Sequence, residues 1–284
     1  MMRRFLLSLL PAALLLACGF STSAPPHAAD TTTTAYAHAS AAGRPVHWGY
    51  ESGDGPSRWA DLSPAYRSCE TGRAQSPIDL GGAVPGDASA LRVEYETAGL
   101  RIAHHEQALD LLDNGHTIQV TLDHGSTIFE SGTSFDLVQY HFHAPSEHTI
   151  DGSSYPMELH FVHKSEQGEL AVLGVLIEEG NHNSAFDPIW SNFPSRPGES
   201  LHLEGVSVEI EEFLPLSDGY FRYQGSLTTP PCSEGVQWFV CDEPIELSKA
   251  QIDAFRRIVD HNARPPQPLH GRRVVLMEGV SVPD

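Results

Sequence analysis

Short runs of apolar residues, each bounded by turn-forming residues, dominate the chain after its first quarter. Runs at 91–95, 116–122, 137–143, 158–163, 170–177 and 206–210 are rich in Val, Ile, Leu and aromatics and predict β-strands. Turn sequences punctuate them, among them Asp113-Asn114-Gly115, Asp123-His124-Gly125 and Asp151-Gly152. Many short strands without regular intervening helices predict a mainly β, largely antiparallel fold with helices at its periphery. One helix has clear signals. Ser248 and Gln251 form a capping box, and Ile252, Phe255 and Val259 follow at helical spacing, with an end expected before Arg264-Pro265-Pro266. A second, short helix is expected over 184–191, limited by Pro188.

The N-terminal region has a different pattern. Arg3 and Arg4 precede an apolar run at 5–17 that is interrupted only by Ser8 and Pro11, the layout of an export leader too short for a membrane span. Its end, Leu15-Leu16-Ala17-Cys18, resembles the lipobox of bacterial lipoproteins and implies lipid on Cys18, with anchoring to a membrane in the periplasm or at the cell surface. The other reading, ordinary cleavage after Ala24, is opposed by Pro25. Residues 19–45 are rich in Ala, Ser, Thr and Pro and predict a flexible tether. The remainder, 46–284, suits one large domain. A formal charge of −20, with Lys164 and Lys249 as the sole lysines, argues against nucleic acid as a partner. Cysteines at 18, 69, 232 and 241 form no C-x-x-C pair, which argues against a cysteine zinc site. In an oxidising compartment two of them should pair, and lipid on Cys18 would leave one of the other three free.

Sixteen histidines need geometry to sort them. On a strand, His141 and His143 project from one face while Tyr140 and Phe142 project from the other. In the next strand His160 shares a face with Glu158 and Val162, and His163 falls on the opposite face with Leu159 and Phe161. Three imidazoles from two adjacent strands supply three corners of a tetrahedron and leave the fourth open, as a catalytic zinc requires. Gln139 and Glu158, each two residues from a histidine on the same face, are placed to orient them by hydrogen bonds.

The motifs His47-Trp48-Gly49-Tyr50, Gln75-Ser76-Pro77-Ile78-Asp79, Asn114-Gly115-His116, Gln139-Tyr140-His141-Phe142-His143 and Ser146-Glu147-His148-Thr149 occur in order along the chain. They continue with Glu158-Leu159-His160, Leu170-Ala171-Val172-Leu173-Gly174, Gly225-Ser226-Leu227-Thr228-Thr229-Pro230-Pro231 and Asn262-Ala263-Arg264-Pro265. In this set the sequence resembles the alpha-class carbonic anhydrases, over essentially everything after the tether. The resemblance implies a single domain on a large twisted, mostly antiparallel sheet with short peripheral helices. It also implies one Zn2+ per chain and reversible hydration of carbon dioxide to bicarbonate and a proton by zinc-bound hydroxide.

By the same resemblance His141, His143 and His160 hold the metal, with Gln139, Glu158 and Asn262 supporting them. Thr228 and Glu147 form a gate: if ionised Glu147 takes the hydroxyl hydrogen, the Thr228 oxygen only accepts, and so selects a ligand carrying a hydrogen. His116 is the proton shuttle, placed to swing at the pocket mouth. Val162, Val172, Leu227, Thr229, Val236 and Trp238 line the substrate pocket. Secreted members join cysteines at the places of Cys69 and Cys232, which implies that disulfide here and leaves Cys241 free. Ala144 departs from the tryptophan that many animal members carry after the second ligand, and implies looser packing behind the site. The competing reading is a non-catalytic zinc-binding or adhesin-like surface module of the same fold. It is opposed by the presence of all three histidines, since members that lose catalysis typically lose one.

Overall fold

Two neighbouring antiparallel strands, Thr133–His143 and Met157–Lys164, form the middle of a mixed sheet, with His141 paired to His160 and His143 to Glu158. The computed structural model describes residues 46–86, 102–103, 109–122, 126–130, 132–204, 206, 208–216 and 219–277. The expected strand at 91–95, the Asp123-His124-Gly125 turn, and the leader, Cys18 and tether lie outside these residues. The described residues all fall in one compact unit, Ala42–Asp284.

Thirteen strands form the sheet among the described residues. From the central pair it extends one way through Ile118–Leu122 and Leu109–Asp113 to Ser200–Leu203. The other way it runs through Leu170–Glu179, Glu234–Cys241 and Tyr220–Ser226 to Val275–Met277 and Val84–Pro85. Most pairings are antiparallel, as expected, but Leu170–Glu179 runs parallel to Glu234–Cys241 and Ile245–Leu247, and Val84–Pro85 runs parallel to Val275–Met277. The central strands are buried on both faces because an apolar cluster covers each. Tyr140, Phe142, Leu159, Phe161, Leu173 and Val175 pack on one side. Val162, Val172, Tyr223, Val236 and Trp238 pack on the side that carries the histidines.

A bulge sets which residues face which cluster. Leu137 pairs with His163 and Gln139 with Val162, so Val138 is an extra residue and the alternation changes phase there. Before the bulge, odd-numbered Phe135 and Leu137 enter the core; after it, even-numbered Tyr140 and Phe142 do. Had the strand alternated regularly through Val138, His141 would lie on the face of Leu137. Gly174, opposite His160, is equally local in its reason: a Cβ there would stand 3.1 Å from Glu158 Oε1 and 3.4 Å from a Val240 methyl.

Four expected elements take other forms. The described residues of 206–210 form no strand. Ser200–Leu203 pairs with Leu109–Asp113 instead, and Ile210–Phe213 is a 3₁₀ turn that buries Ile210 and Phe213 with Glu211 and Glu212 exposed between them. Apolar residues three apart suit that turn, and burial of both outweighs the strand propensity of the Val-rich run. The strand expected from His116 starts at Ile118, because Asn114 Oδ1 accepts from the His116 and Thr117 amides at 2.9 Å and holds them in a turn. The capped helix spans only Lys249–Arg256. Val259 lies beyond it but still packs on the core, and an extended segment follows that carries Asn262 and Arg264 to the histidine face. The short helix appears as a 3₁₀ turn, Ser184–Phe186, leading into Asp187–Trp190.

Cys69, in the short helix Ser68–Thr71, is bonded to Cys232, and Cys241 is free and buried, its thiol pushed up to about 12 by burial. The bond fastens the turn that follows Thr228 to the N-terminal helices. Replacing Cys69 and Cys232 by serine should therefore lower the urea midpoint, with a loss of at most about 5 kcal/mol expected for so long a closed loop. An unchanged midpoint would show that the crosslink does not limit the unfolded chain.

Candidate metal centre

His141, His143 and His160 each present a ring nitrogen such that the three lie within 4.8 Å of one another. Each ring is held from behind by its other nitrogen. His141 Nδ1 meets Gln139 Oε1 at 2.9 Å, His143 Nδ1 meets the Asn262 carbonyl at 2.7 Å, and His160 Nε2 meets Glu158 Oε1 at 2.8 Å. The nitrogens left to converge are Nε2 of His141 and His143 and Nδ1 of His160. Asn262 thus supports His143 through its main chain, a role that its side-chain chemistry does not announce. Its amide instead takes the Ala144 N–H at 2.8 Å and donates to the carbonyls of His116 and Phe142 at 2.9 Å each.

Burial lowers the pKa of all three rings, His141 well below the usual value, His143 to about 4, and His160 less definitely, with neighbouring imidazoles adding to the effect. At neutral pH they are uncharged and offer lone pairs. His143 Nε2 is buried with no hydrogen-bond partner, a position that is unfavourable unless something electrophilic fills the space between the rings. Three neutral imidazoles, each oriented by an acceptor, fit a zinc ion.

Glu158 is the most heavily bonded of the supporting groups. Its Oε2 accepts from the amides of Glu147 and His148 at 2.8 Å each, and its Oε1 accepts from His148 Nδ1 at 2.6 Å as well as from His160. Burial opposes its charge, but His148 and His160 outweigh that and hold the carboxyl well below the usual range. His148, Glu158 and His160 also cluster tightly enough to suggest a second metal group. That geometry is used up by hydrogen bonds, because the other His148 nitrogen meets Tyr223 Oη at 2.6 Å.

Glu147 is fully buried, 3.5 Å from His143 Nε2 through Oε2. Burial pushes its pKa up to about 7, against the pull of His160, of the Arg264 amide on Oε1 at 2.8 Å, and of the Thr228 hydroxyl. A cation among the histidines would draw it down further. Thr228 is buried beside it, and the following turn is closed by the Cys232 amide on the Thr229 carbonyl at 2.8 Å. Val162, Val172, Val236 and Trp238 form one apolar cluster, with half-buried Leu227 against it. The Trp238 ring stands edge-on to His160, with centroids 4.9 Å apart. Ala144 is fully buried within the opposite cluster, directly behind the strand end.

His116 does not stand free. Its ring lies flat on Trp48, with centroids 3.8 Å apart and planes 7° from parallel. His163 faces the other apolar cluster with Nδ1 3.0 Å from the Phe161 carbonyl, outside the metal group. Sequence reasoning missed the structural parts played by His148, Tyr223 and Arg264. The first and last stood within recognised motifs, but only their burial reveals the contacts.

The family model for eukaryotic-type carbonic anhydrases matches residues 54–278. A carbonic anhydrase of Pectobacterium carotovorum is 41% identical over 81% of this chain and 91% of its own length. One from Nostoc is 42% identical over 81% of this chain and 86% of its own. The alpha-carbonic anhydrase of Thermovibrio ammonificans, solved with the inhibitor sulfanilamide, superposes with a TM-score of 0.75 at 42% identity, covering 81% of this chain and 99% of that one. The fold and the chain's similarity along it define a class of lyases that hydrate carbon dioxide. The chain belongs to the alpha, or eukaryotic-type, carbonic anhydrase family.

Single alanine replacements at His141, His143 and His160 should each abolish stoichiometric zinc, read by elemental analysis of the purified chain. His163→Ala should retain it. Loss of zinc from His163→Ala alone would mean that the pairing of these two strands is misassigned.

Proposed function

We propose that this enzyme hydrates carbon dioxide at a zinc ion held by His141, His143 and His160, outside the cytoplasm. The observation that carries this reading is the orphaned His143 Nε2, buried among three neutral imidazoles that are each hydrogen-bonded from behind. Zinc, when bound, supplies a Lewis acid that makes water ionise far more readily than in bulk.

The chain's own groups do the rest. With Glu147 ionised and taking the Thr228 hydroxyl hydrogen, the Thr228 oxygen is left as an acceptor and admits a group that can donate to it. Anions without a hydrogen are rejected, and the nucleophile's lone pair is aimed at the substrate. Val162, Val172, Leu227, Val236 and Trp238 offer an uncharged linear molecule a weak apolar seat, with Thr229 at the turn above. His116 receives the proton released in each turnover and carries it outward. Burial and the adjacent His47 lower its pKa, against Asp54 and Asp113, so it gives the proton up readily once at the rim. Export is supported by the Arg3-Arg4 leader and by a disulfide, which persists in oxidising compartments. The lipobox-like run supports lipid on Cys18 as the anchor.

Stopped-flow hydration of carbon dioxide tests the reading directly: activity should vanish on chelation and return with zinc. Activity that persists without metal would overturn it. Thr228→Ala should keep its zinc, lose roughly a hundredfold in kcat/KM if the oriented lone pair carries the effect, and bind small anions less selectively. His116→Ala should lower the maximal rate in dilute buffer while kcat/KM stays near that of the parent, and imidazole should restore the loss. An unchanged maximal rate would assign the proton to another group.

A further inference from the structure

We propose that Thr117 is a positioning residue for the metal centre, its hydroxyl standing in for a missing strand partner at Phe142 and so fixing the chain between the ligands His141 and His143. This rests on the reading of the three histidines as a zinc site. The ladder between Ile118–Leu122 and Thr133–His143 pairs Val120 with Tyr140 and Gln119 with His141, and it goes no further among the described residues. Phe142 is the next residue along, and on this side no main chain is paired with it. It is fully buried, so bulk water does not reach its N–H and C=O either. Both groups need a partner from somewhere else.

Thr117 serves both. Its Oγ1 donates to the Phe142 carbonyl at 2.5 Å and accepts from the Phe142 N–H at 3.3 Å. A hydroxyl has one hydrogen and two lone pairs, so one side chain does here what a facing residue does with its N–H and C=O. The Ile118 carbonyl, the other acceptor near this hydroxyl, is farther away at 3.4 Å. The hydroxyl is itself aimed: Thr117 is buried, its N–H is taken by Asn114 Oδ1 at 2.9 Å, and its carbonyl accepts from the Asn114 N–H at 3.2 Å. Asn262 continues the same edge, donating to the Phe142 carbonyl at 2.9 Å and taking the Ala144 N–H at 2.8 Å. Asn262 also presents the main-chain carbonyl that holds His143 Nδ1. Thr117 and Asn262 therefore meet on one carbonyl, and a shift of Phe142 is felt at the ligand on each side of it and at the acceptor behind His143. The rings of His141 and His143 are already held from behind, so their spacing follows the main chain between them.

The test is the zinc affinity of the full chain, measured by competition with a chelator, together with the visible spectrum of the cobalt(II)-loaded chain and the urea midpoint. Thr117→Val keeps the shape of the side chain and removes both hydrogen bonds. It should bind zinc about tenfold or more weakly and shift the cobalt bands. Thr117→Ser keeps the hydroxyl and should restore both readouts. A lower urea midpoint with parental zinc affinity and parental cobalt bands in Thr117→Val would make Thr117 a structural residue only and overturn the proposal. Weak zinc binding in Thr117→Ser would overturn it too, because the hydroxyl is still present there. Should the valine variant not fold, Thr117→Ala carries the same expectation, and parental affinity in it would be equally fatal. A parent chain that binds no zinc would overturn the metal reading itself, and the role of Thr117 with it.

Discussion

One buried carboxylate holds the centre together. Glu158 has no exposure to water, so its charge persists only because four N–H groups converge on it. Two of those groups are main-chain amides of Glu147 and His148, on the segment just beyond His143, and a third is the His160 ring. The same carboxylate therefore fixes His160 in one tautomer and ties the end of its neighbouring strand beside it. Removing the charge would strand several donors at once in an apolar interior, where each unpaired group is worth about 1–3 kcal/mol. Gly174 keeps the space open in which this packing occurs.

The segment that carries Thr228 is fixed from several directions. The Cys69–Cys232 bond holds the turn beyond it, Ser76 and Ser226 exchange hydrogen bonds at 2.9 and 3.0 Å before it, and Trp238 Nε1 donates to the Ser226 carbonyl at 2.9 Å. Arg264 joins these supports. Its guanidinium is buried, donates to the carbonyls of Ser76 and Cys69 at 2.7 and 2.8 Å, and its main chain meets Glu147. The proposed gate of one hydroxyl and one carboxylate would have to be aimed closely, and this frame supplies the precision.

Two kinds of environment share the pocket. Toward the strands, desolvation keeps the three imidazoles neutral and ready to donate lone pairs. Toward the rim, His116 stands between Trp48 and the solvent-facing His47, close to carboxylates. The site therefore passes from a dry region that keeps imidazoles neutral to a solvent-facing rim, within a single sheet face and one adjoining loop.

Much of the centre was legible in the sequence, because strand geometry is periodic. His141-Phe142-His143 on one strand and Glu158-Leu159-His160 on the next specify shared faces without any knowledge of the rest, and they separate His160 from His163. Gln139 and Glu158 follow from the same alternation. The ordered motifs carried the family. Tertiary structure alone decided the bulge at Val138, because an extra residue changes the facing of a strand without leaving a compositional mark. It also decided the support of His143 by a main-chain carbonyl, which any residue at 262 would carry, and the stacking of His116 on Trp48, which depends on contacts from a distant part of the chain. The run at 206–210 had the composition of a strand yet found no ladder partner among the described residues, and burial of Ile210 and Phe213 decided its form. Periodicity is a local property of the chain, whereas partners, main-chain acceptors and phase shifts exist only once distant segments meet.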